Sequence, residues 1–178
     1  GADRLWVGHH MNGRISRIDL DDLSVDAVFL RETEDPDPTV PQGKPWRVEQ
    51  LVTDGESLFV PHILWNPDEL LNPDTSVFPA VSRLDLDTME EGERRVRGAG
   101  LPDAGLATPR AAAVHGGSLY MVTEGSQELL VLPIGGDTGS SVRLPGHAPQ
   151  AVVVADSERG WVHLAQSQKV VTFDPSTA

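Results

Sequence analysis

The residues best placed for chemistry are histidines at matching points in a repeat. Leu5-Trp6-Val7-Gly8-His9 aligns with Leu58-Phe59-Val60-Pro61-His62, so His9 and His62 occupy the same position in adjacent units. His147, in Gly146-His147-Ala148-Pro149, falls in a connection expected at the same end of the units, and His10 follows His9 directly. Imidazoles converging from different repeats can bind Cu, Zn or Fe, given a further ligand such as Glu124. The structural alternative is that they are rim histidines hydrogen-bonded to loop backbone. His115 belongs in a turn at the opposite end and His163 within a strand, so neither joins the set. Arg47, beside Trp46, and Arg110, after Pro109, are expected to face a central channel, where they would clamp a carboxylate or pair with nearby acids. Trp65, in a long connection with Asp68, Glu69 and Asp74, joins them as a ligand-binding candidate. The run Glu32, Glu34, Asp35, Asp37 is a calcium candidate, although it lacks the spacing and glycine of an EF-hand loop and its Asp-Pro-Asp-Pro stretch is stiff. No Ser-His-Asp order, P-loop or dinucleotide fingerprint accompanies these residues.

The elements that must carry them repeat. Ser16-Arg17-Ile18-Asp19-Leu20-Asp21 recurs as Ser82-Arg83-Leu84-Asp85-Leu86-Asp87, more loosely as Val171-Thr172-Phe173-Asp174, and Leu129-Leu130-Val131-Leu132-Pro133 stands where another copy is expected. Each copy follows a second short β-rich run: Leu5-Trp6-Val7, Leu58-Phe59-Val60, Leu119-Tyr120-Met121-Val122 and Trp161-Val162-His163-Leu164. Before three of these comes a small or apolar run and a turn, as in Ala111-Ala112-Ala113-Val114 before Gly116-Gly117. The unit is therefore four strands, A to D, and no convincing amphipathic helix interrupts the series, though Asp68-Glu69-Leu70-Leu71 would make one turn. Strands are expected near 4–8, 14–19, 24–30, 48–53, 57–61, 80–85, 110–115, 118–123, 128–133, 150–155, 161–165 and 169–174, in units of about 1–44, 45–106, 107–147 and 148–178. That is an all-β chain of about four four-stranded β-propeller blades. The long connections Arg31–Pro45 (D to A) and Pro61–Pro79 (B to C) emerge at one end, expected to be the functional one.

The blade pattern resembles the YVTN-type bacterial propeller family, in Asp54-Gly55-Glu56-Ser57-Leu58-Phe59-Val60, in Leu119-Tyr120-Met121-Val122-Thr123, and in Pro149-Gln150-Ala151-Val152 leading to Thr172-Phe173-Asp174. The resemblance implies the fold and leaves the activity open, because propellers host many. Some members sit beside c-type cytochrome or peroxidase domains, so a cytochrome-type partner is one implication. This sequence has no cysteine and so no haem-attachment motif of its own.

Composition narrows the partners. Against 14 Lys+Arg stand 27 Asp+Glu, a net charge of −13 over 178 residues, which repels nucleic acid and anionic lipid and favours cations and basic partners. No apolar stretch reaches the roughly 20 residues of a membrane span. Gly1-Ala2-Asp3-Arg4 has no signal-peptide character, and a periplasmic or extracellular location is the expectation. The strand series reads B-C-D, A-B-C-D twice, then A-B-C, with apolar residues on both terminal units. This predicts part of a six- to eight-bladed ring whose remaining blades come from another chain, a second copy or further sequence. The function expected is a non-catalytic binding or scaffold module using its loop-rich face. The alternative is a metal-dependent enzyme, an oxidoreductase or lactonase-like hydrolase, with a histidine site at the ring mouth.

Overall fold

The computed structural model describes residues 3–70, 75–97, 99–102, 108–136 and 138–178. Asp74 and Leu71 lie outside them. The described residues form four sheets. The first holds β1 (Arg4–Gly8), β2 (Arg14–Asp19) and β3 (Val25–Phe29). The second holds β4 (Lys44–Trp46), β5 (Val52–Thr53), β6 (Ser57–Trp65), β7 (Val77–Asp85), β8 (Glu91–Arg97) and β9 (Gly100–Leu101). The third is β10 (Pro109–His115), β11 (Ser118–Thr123), β12 (Glu128–Pro133) and β13 (Ser140–Arg143), and the fourth β14 (Pro149–Val154), β15 (Gly160–Leu164) and β16 (Lys169–Phe173). Every neighbouring pair is antiparallel except β8–β9.

The repeat explains these elements residue by residue. An aromatic side chain stands at one register position of every second strand: Trp6 opposite Arg17, Phe59 opposite Arg83, Tyr120 opposite Val131 and Trp161 opposite Thr172. The aspartates ending the third strands cap the next turn: Asp19 accepts Asp21 N–H at 2.9 Å, Asp85 accepts Asp87 and Thr88, and Asp174 accepts Ser176. These bonds, the one from Thr88 N–H foremost, hold the Asp85 carboxyl below the ordinary value.

Alternate residues face alternate neighbours. Ile15 and Trp6 of the first sheet pack on Leu58, Val60 and Leu84 of the second. Phe59 and Val81, on the other side of the second, meet Ala112, Met121 and Leu130 of the third. Tyr120, Val122 and Leu129 then meet Val152, Val162 and Leu164 of the fourth. No hydrophobic cluster of described residues joins the fourth sheet to the first. Their outer flanks are open and apolar: Leu5 is 49%, Val25 57% and Phe29 61% exposed on one, and Val153 57% and Val170 65% on the other.

Two sequence expectations are corrected. The innermost strand of the second unit is not one strand over 48–53. It is split into β4 and β5, because Arg47 turns left-handed at φ 57° and carries residues 47–51 off the sheet. The connection Pro61–Pro79 is not a loop throughout: β6 extends to Trp65 and β7 begins at Val77. The extension forms because Leu64, Phe78 and Ala80 bury together against Val96.

Gly43 holds the acidic connection against this hairpin at φ 112°, where a Cβ would collide with the Trp65 carbonyl. Gly43→Ala is expected to lower stability by about 2 kcal/mol, read by urea denaturation.

Candidate functional site

The inner strands of the third and fourth sheets each carry a bulge at the same place. Arg110 lies between the paired residues Pro109 and Ala111, and Gln150 between Pro149 and Ala151. An unpaired bulge residue is aimed off the ladder, away from its neighbours on the strand. Counting back from the matched pairs Val52–Phe59 and Ala113–Tyr120 puts Glu49 at the same point of the second sheet. Glu49 and Arg110 meet accordingly.

Arg110 Nε donates to Glu124 Oε2 at 2.6 Å, its Nη2 contacts the same oxygen, and its Nη1 donates to Glu49 Oε1 at 3.0 Å. Arg47 Nη2 donates to that same Glu49 oxygen at 3.1 Å. His10 Nδ1 stands 3.8 Å from the other, Glu49 Oε2, and the His10 carbonyl accepts Arg47 N–H at 2.6 Å. From His10 the cluster continues through aromatic rings, with Trp46 at 6.3 Å and Trp65 a further 5.3 Å on at a 36° tilt. Residues of three sheets thus form one chain of contacts from Trp65 to Glu124, all partly exposed. The structure brings together Arg47, Trp65 and Arg110, the ligand-binding candidates of the sequence. The carboxylates that the two arginines hold are the protein's own, Glu49 and Glu124.

The three histidines lie at the same end of the sheets and in different surroundings. His9 Nε2 is 2.9 Å from Ser16 Oγ, and its position faces the open flank of the first sheet. His62 is completely buried on the opposite side of that sheet, among Val60, Ala80 and Ser82 of its own. The first sheet therefore stands between them. His62 Nδ1 donates to the Val60 carbonyl at 2.9 Å, which leaves Nε2 as a bare acceptor with no partner among the described residues. His147 is exposed, its backbone N–H held by Ser167 Oγ at 2.9 Å. Among the described residues no three His, Asp or Glu side chains are grouped as metal ligands would be.

No family model matches the sequence, and no curated protein is similar to it. Solved structures are. The chain superposes on hydrazine synthase of Kuenenia stuttgartiensis with a TM-score of 0.71 at 14% identity, covering 96% of this chain and 54% of that one. A chain of a nidogen/laminin complex gives 0.60 at 16% identity over 97% and 55%, and the U3-55K structure gives 0.59 at 8% over 96% and 48%. The fold is a β-propeller. Its sheets are blades, and the chain spans about half the length of the propeller chains it matches. Identity this low carries the fold alone.

The cluster sits beside the inner-strand bulge of the third blade, at the end bearing the long connections. Beside it, Glu32, Glu34, Asp35, Asp68 and Glu69 line a basin of about 340 Å³ together with Lys44, whose strand pairs it with Trp65. Of the acids considered for calcium, the two aspartates brace their own loop: Asp35 Oδ1 accepts Asp37 N–H, Asp37 Oδ1 accepts both Thr39 donors, and buried Gln42 ties the loop through Asp35 N–H and the Asp37 carbonyl.

Sequence reasoning missed Glu49 and Trp46 as members of the cluster. The signal was present, since Glu49, Arg110 and Gln150 fall at one repeat position, but only the strand pairing shows that this position is a bulge in the third and fourth sheets and lies off the sheet in the second.

Proposed function

We propose that this chain is a non-catalytic binding module within a larger propeller ring, and that its loop-rich end takes a basic partner. The observation that carries it is the continuous Trp65–Trp46–His10–Glu49–Arg47/Arg110–Glu124 cluster, drawn from three blades onto one end. Two guanidinium groups there are matched by two carboxylates, so the cluster has no cation free to attract an anion. What it offers a partner is partly exposed indole beside an acidic basin, on a protein of net charge −13. Cations gain from both, over the ring faces and along the carboxylates. The open flanks of blades one and four support the larger ring. One has the composition of a face that meets a preceding blade and the other of a face that meets a following one. The YVTN-type assignment remains part of this proposal, on the strength of the blade motif.

The test is a tryptophan-fluorescence titration with a Lys/Arg-rich peptide and an Asp/Glu-rich peptide of equal length. The basic peptide should change the emission, with an effect that fades as salt rises and is lost in Trp65→Ala. Equal response to the acidic peptide, or a response indifferent to Trp65→Ala, would overturn the proposal.

A further inference from the structure

The chain has three asparagines, Asn12, Asn66 and Asn72. Proline follows the last two, and a proline nitrogen carries no proton to give up. Glycine follows Asn12, in the turn that joins β1 to β2. Asn12 is exposed, and His9 N–H closes the turn on the Arg14 carbonyl at 2.9 Å. The side-chain carbonyl of Asn12, Oδ1, accepts the Arg14 N–H at 3.2 Å. That bond folds the side chain back over the Asn12–Gly13 peptide, as an Asx turn does. Gly13 is buried in the left-handed region at φ 61°, where an added Cβ would collide with Pro45, and its carbonyl takes Leu30 N–H at 3.0 Å. The Gly13 N–H has no hydrogen-bond partner among the described residues. An electrophilic side-chain carbon and a free amide nitrogen one peptide apart are thus held in a fixed arrangement.

We propose that Asn12–Gly13 is a self-modification site, at which the folded chain closes a succinimide and opens it to aspartate and isoaspartate. The Gly13 nitrogen loses its proton to hydroxide and attacks Asn12 Cγ. The charge that develops on Oδ1 is met by the Arg14 N–H already bonded there. The Cγ–Nδ2 bond then breaks, Nδ2 takes up a proton and ammonia leaves. Water adds to one of the two imide carbonyls. Addition at Cγ leaves an aspartate, and addition at the main-chain carbon leaves an isoaspartate, whose backbone is one methylene longer. The balance is asparagine and water to aspartate and ammonia, with no oxidant, reductant or cofactor.

Asp54–Gly55 is the contrasting pair. Asp54 Oδ1 takes the N–H of Glu56 at 2.9 Å and of Ser57 at 2.7 Å. Burial opposes the charge, but these bonds outweigh it and hold the carboxyl below its ordinary value. An ionised carboxylate is a poor electrophile, so Asp54 stays as it is. The Asn12 turn also touches the cluster of the loop-rich end. Its His10 carbonyl accepts the Arg47 N–H, and the His10 ring stands beside Glu49 and Trp46. Each conversion adds one negative charge at that end. On the basic-partner reading the charge favours the partner, while the modification itself does not depend on that reading.

The experiment is incubation of the full chain in mildly alkaline buffer, with and without denaturing urea, followed by peptide mapping by mass spectrometry. Asn12 should become a mixture of aspartate and isoaspartate, at a native rate within about tenfold of the rate in urea. A reaction that had to wait for global unfolding would be slower by about a thousandfold or more. Native slowing beyond about tenfold would therefore overturn the site, and so would conversion at Asp54 ahead of Asn12. Asn12→Ser keeps an oxygen for the Arg14 N–H and has no amide to lose, so its turn peptide should keep its mass and the acidic form of the chain should no longer accumulate. Accumulation of that form in the variant would overturn the site as well. None of these readouts uses a peptide ligand, so the modification and the Trp65-dependent fluorescence response can each fail alone.

Discussion

Glu91→Ala should lower the unfolding free energy by about 3–5 kcal/mol in urea denaturation, because it strands a buried arginine. The Glu91 side chain is 2% exposed and that of Arg94 9%. Glu91 Oε1 takes Ser82 Oγ–H at 2.7 Å and two guanidinium contacts from Arg94, and Oε2 takes the backbone N–H of Arg31 at 2.6 Å. Arg94 also donates to the Arg31 carbonyl at 2.6 Å and to Thr33 Oγ1 at 3.1 Å. Burial alone would push the Glu91 carboxyl up. The Arg31 and Ser82 donors and the Arg94 charge outweigh it and hold the carboxyl below its ordinary value. The network ties the outer strand β8 of blade two to the connection leaving blade one, so its loss loosens an interface as well as a side chain. Replacing both charges, as Glu91→Leu with Arg94→Met, should cost clearly less than Glu91→Ala, since no charge is then left buried alone and what remains is the loss of partners for the Ser82 hydroxyl and the Arg31 backbone. A double variant as unstable as the single one would refute the account.

That pair was invisible in the sequence, and the reason is physical. Glu91-Gly92-Glu93-Arg94 reads as a polar edge strand with alternating solvated charges, which is what outer blade strands usually are. Only the placement of Arg31 and Thr33 over it turns one face inward. Apart from the split inner strand of the second sheet, the inner and middle strands were legible because each repeats a pattern fixed by its neighbours: an aromatic at one register, apolar residues alternating beside it, and an aspartate whose side chain caps the next turn. The extended β6–β7 hairpin was missed because Pro61 and Pro79 mark it as a loop. Pro61 is tolerated because its missing N–H would face the gap between β4 and β5, where no inner strand pairs with it. Pro79 lies beyond the last pair that β7 makes with β8, Ala80 with Val96.

The candidate site was legible in the same uneven way. Repeat alignment correctly sets the height of a side chain along its strand, and His9 and His62 do share a register position. It does not say which gap between blades the side chain enters. Alternation sends both toward the preceding blade, His62 into the packed gap behind blade one and His9 onto the open flank. Arg47 and Arg110 meet through Glu49, a carboxylate on the segment that leaves the second sheet after Arg47, and composition does not reveal that departure.

His62 gives the most distinctive pH dependence expected of this protein. It is fully buried, and burial, reinforced by the Arg94 charge, pushes its pKa down from 6.5 to about 4, against the opposing pull of the Val60 carbonyl and Glu91. The neutral ring is the form that fits, with Nδ1–H on Val60 and a bare Nε2. Between these two pKa values the unfolded chain binds a proton that the folded chain does not. Stability therefore rises with pH across the window, is complete above pH 6.5, and is lost as pH falls toward 4. The full shift corresponds to about 3 kcal/mol. Glu91 also loses its contribution in acid, but only as pH falls from its ordinary carboxylate value of 4.5, so most of the histidine window lies above it. Urea midpoints measured at intervals between pH 7 and pH 4.5 should fall steadily in the natural sequence. In His62→Leu, which keeps an apolar side chain in the gap and removes the titrating ring, they should stay nearly flat over that range. His62→Asn, which also removes the titrating ring, is the second variant for the same measurement. An unchanged slope in both variants would show that His62 does not titrate on unfolding, and that the acid sensitivity belongs to other groups.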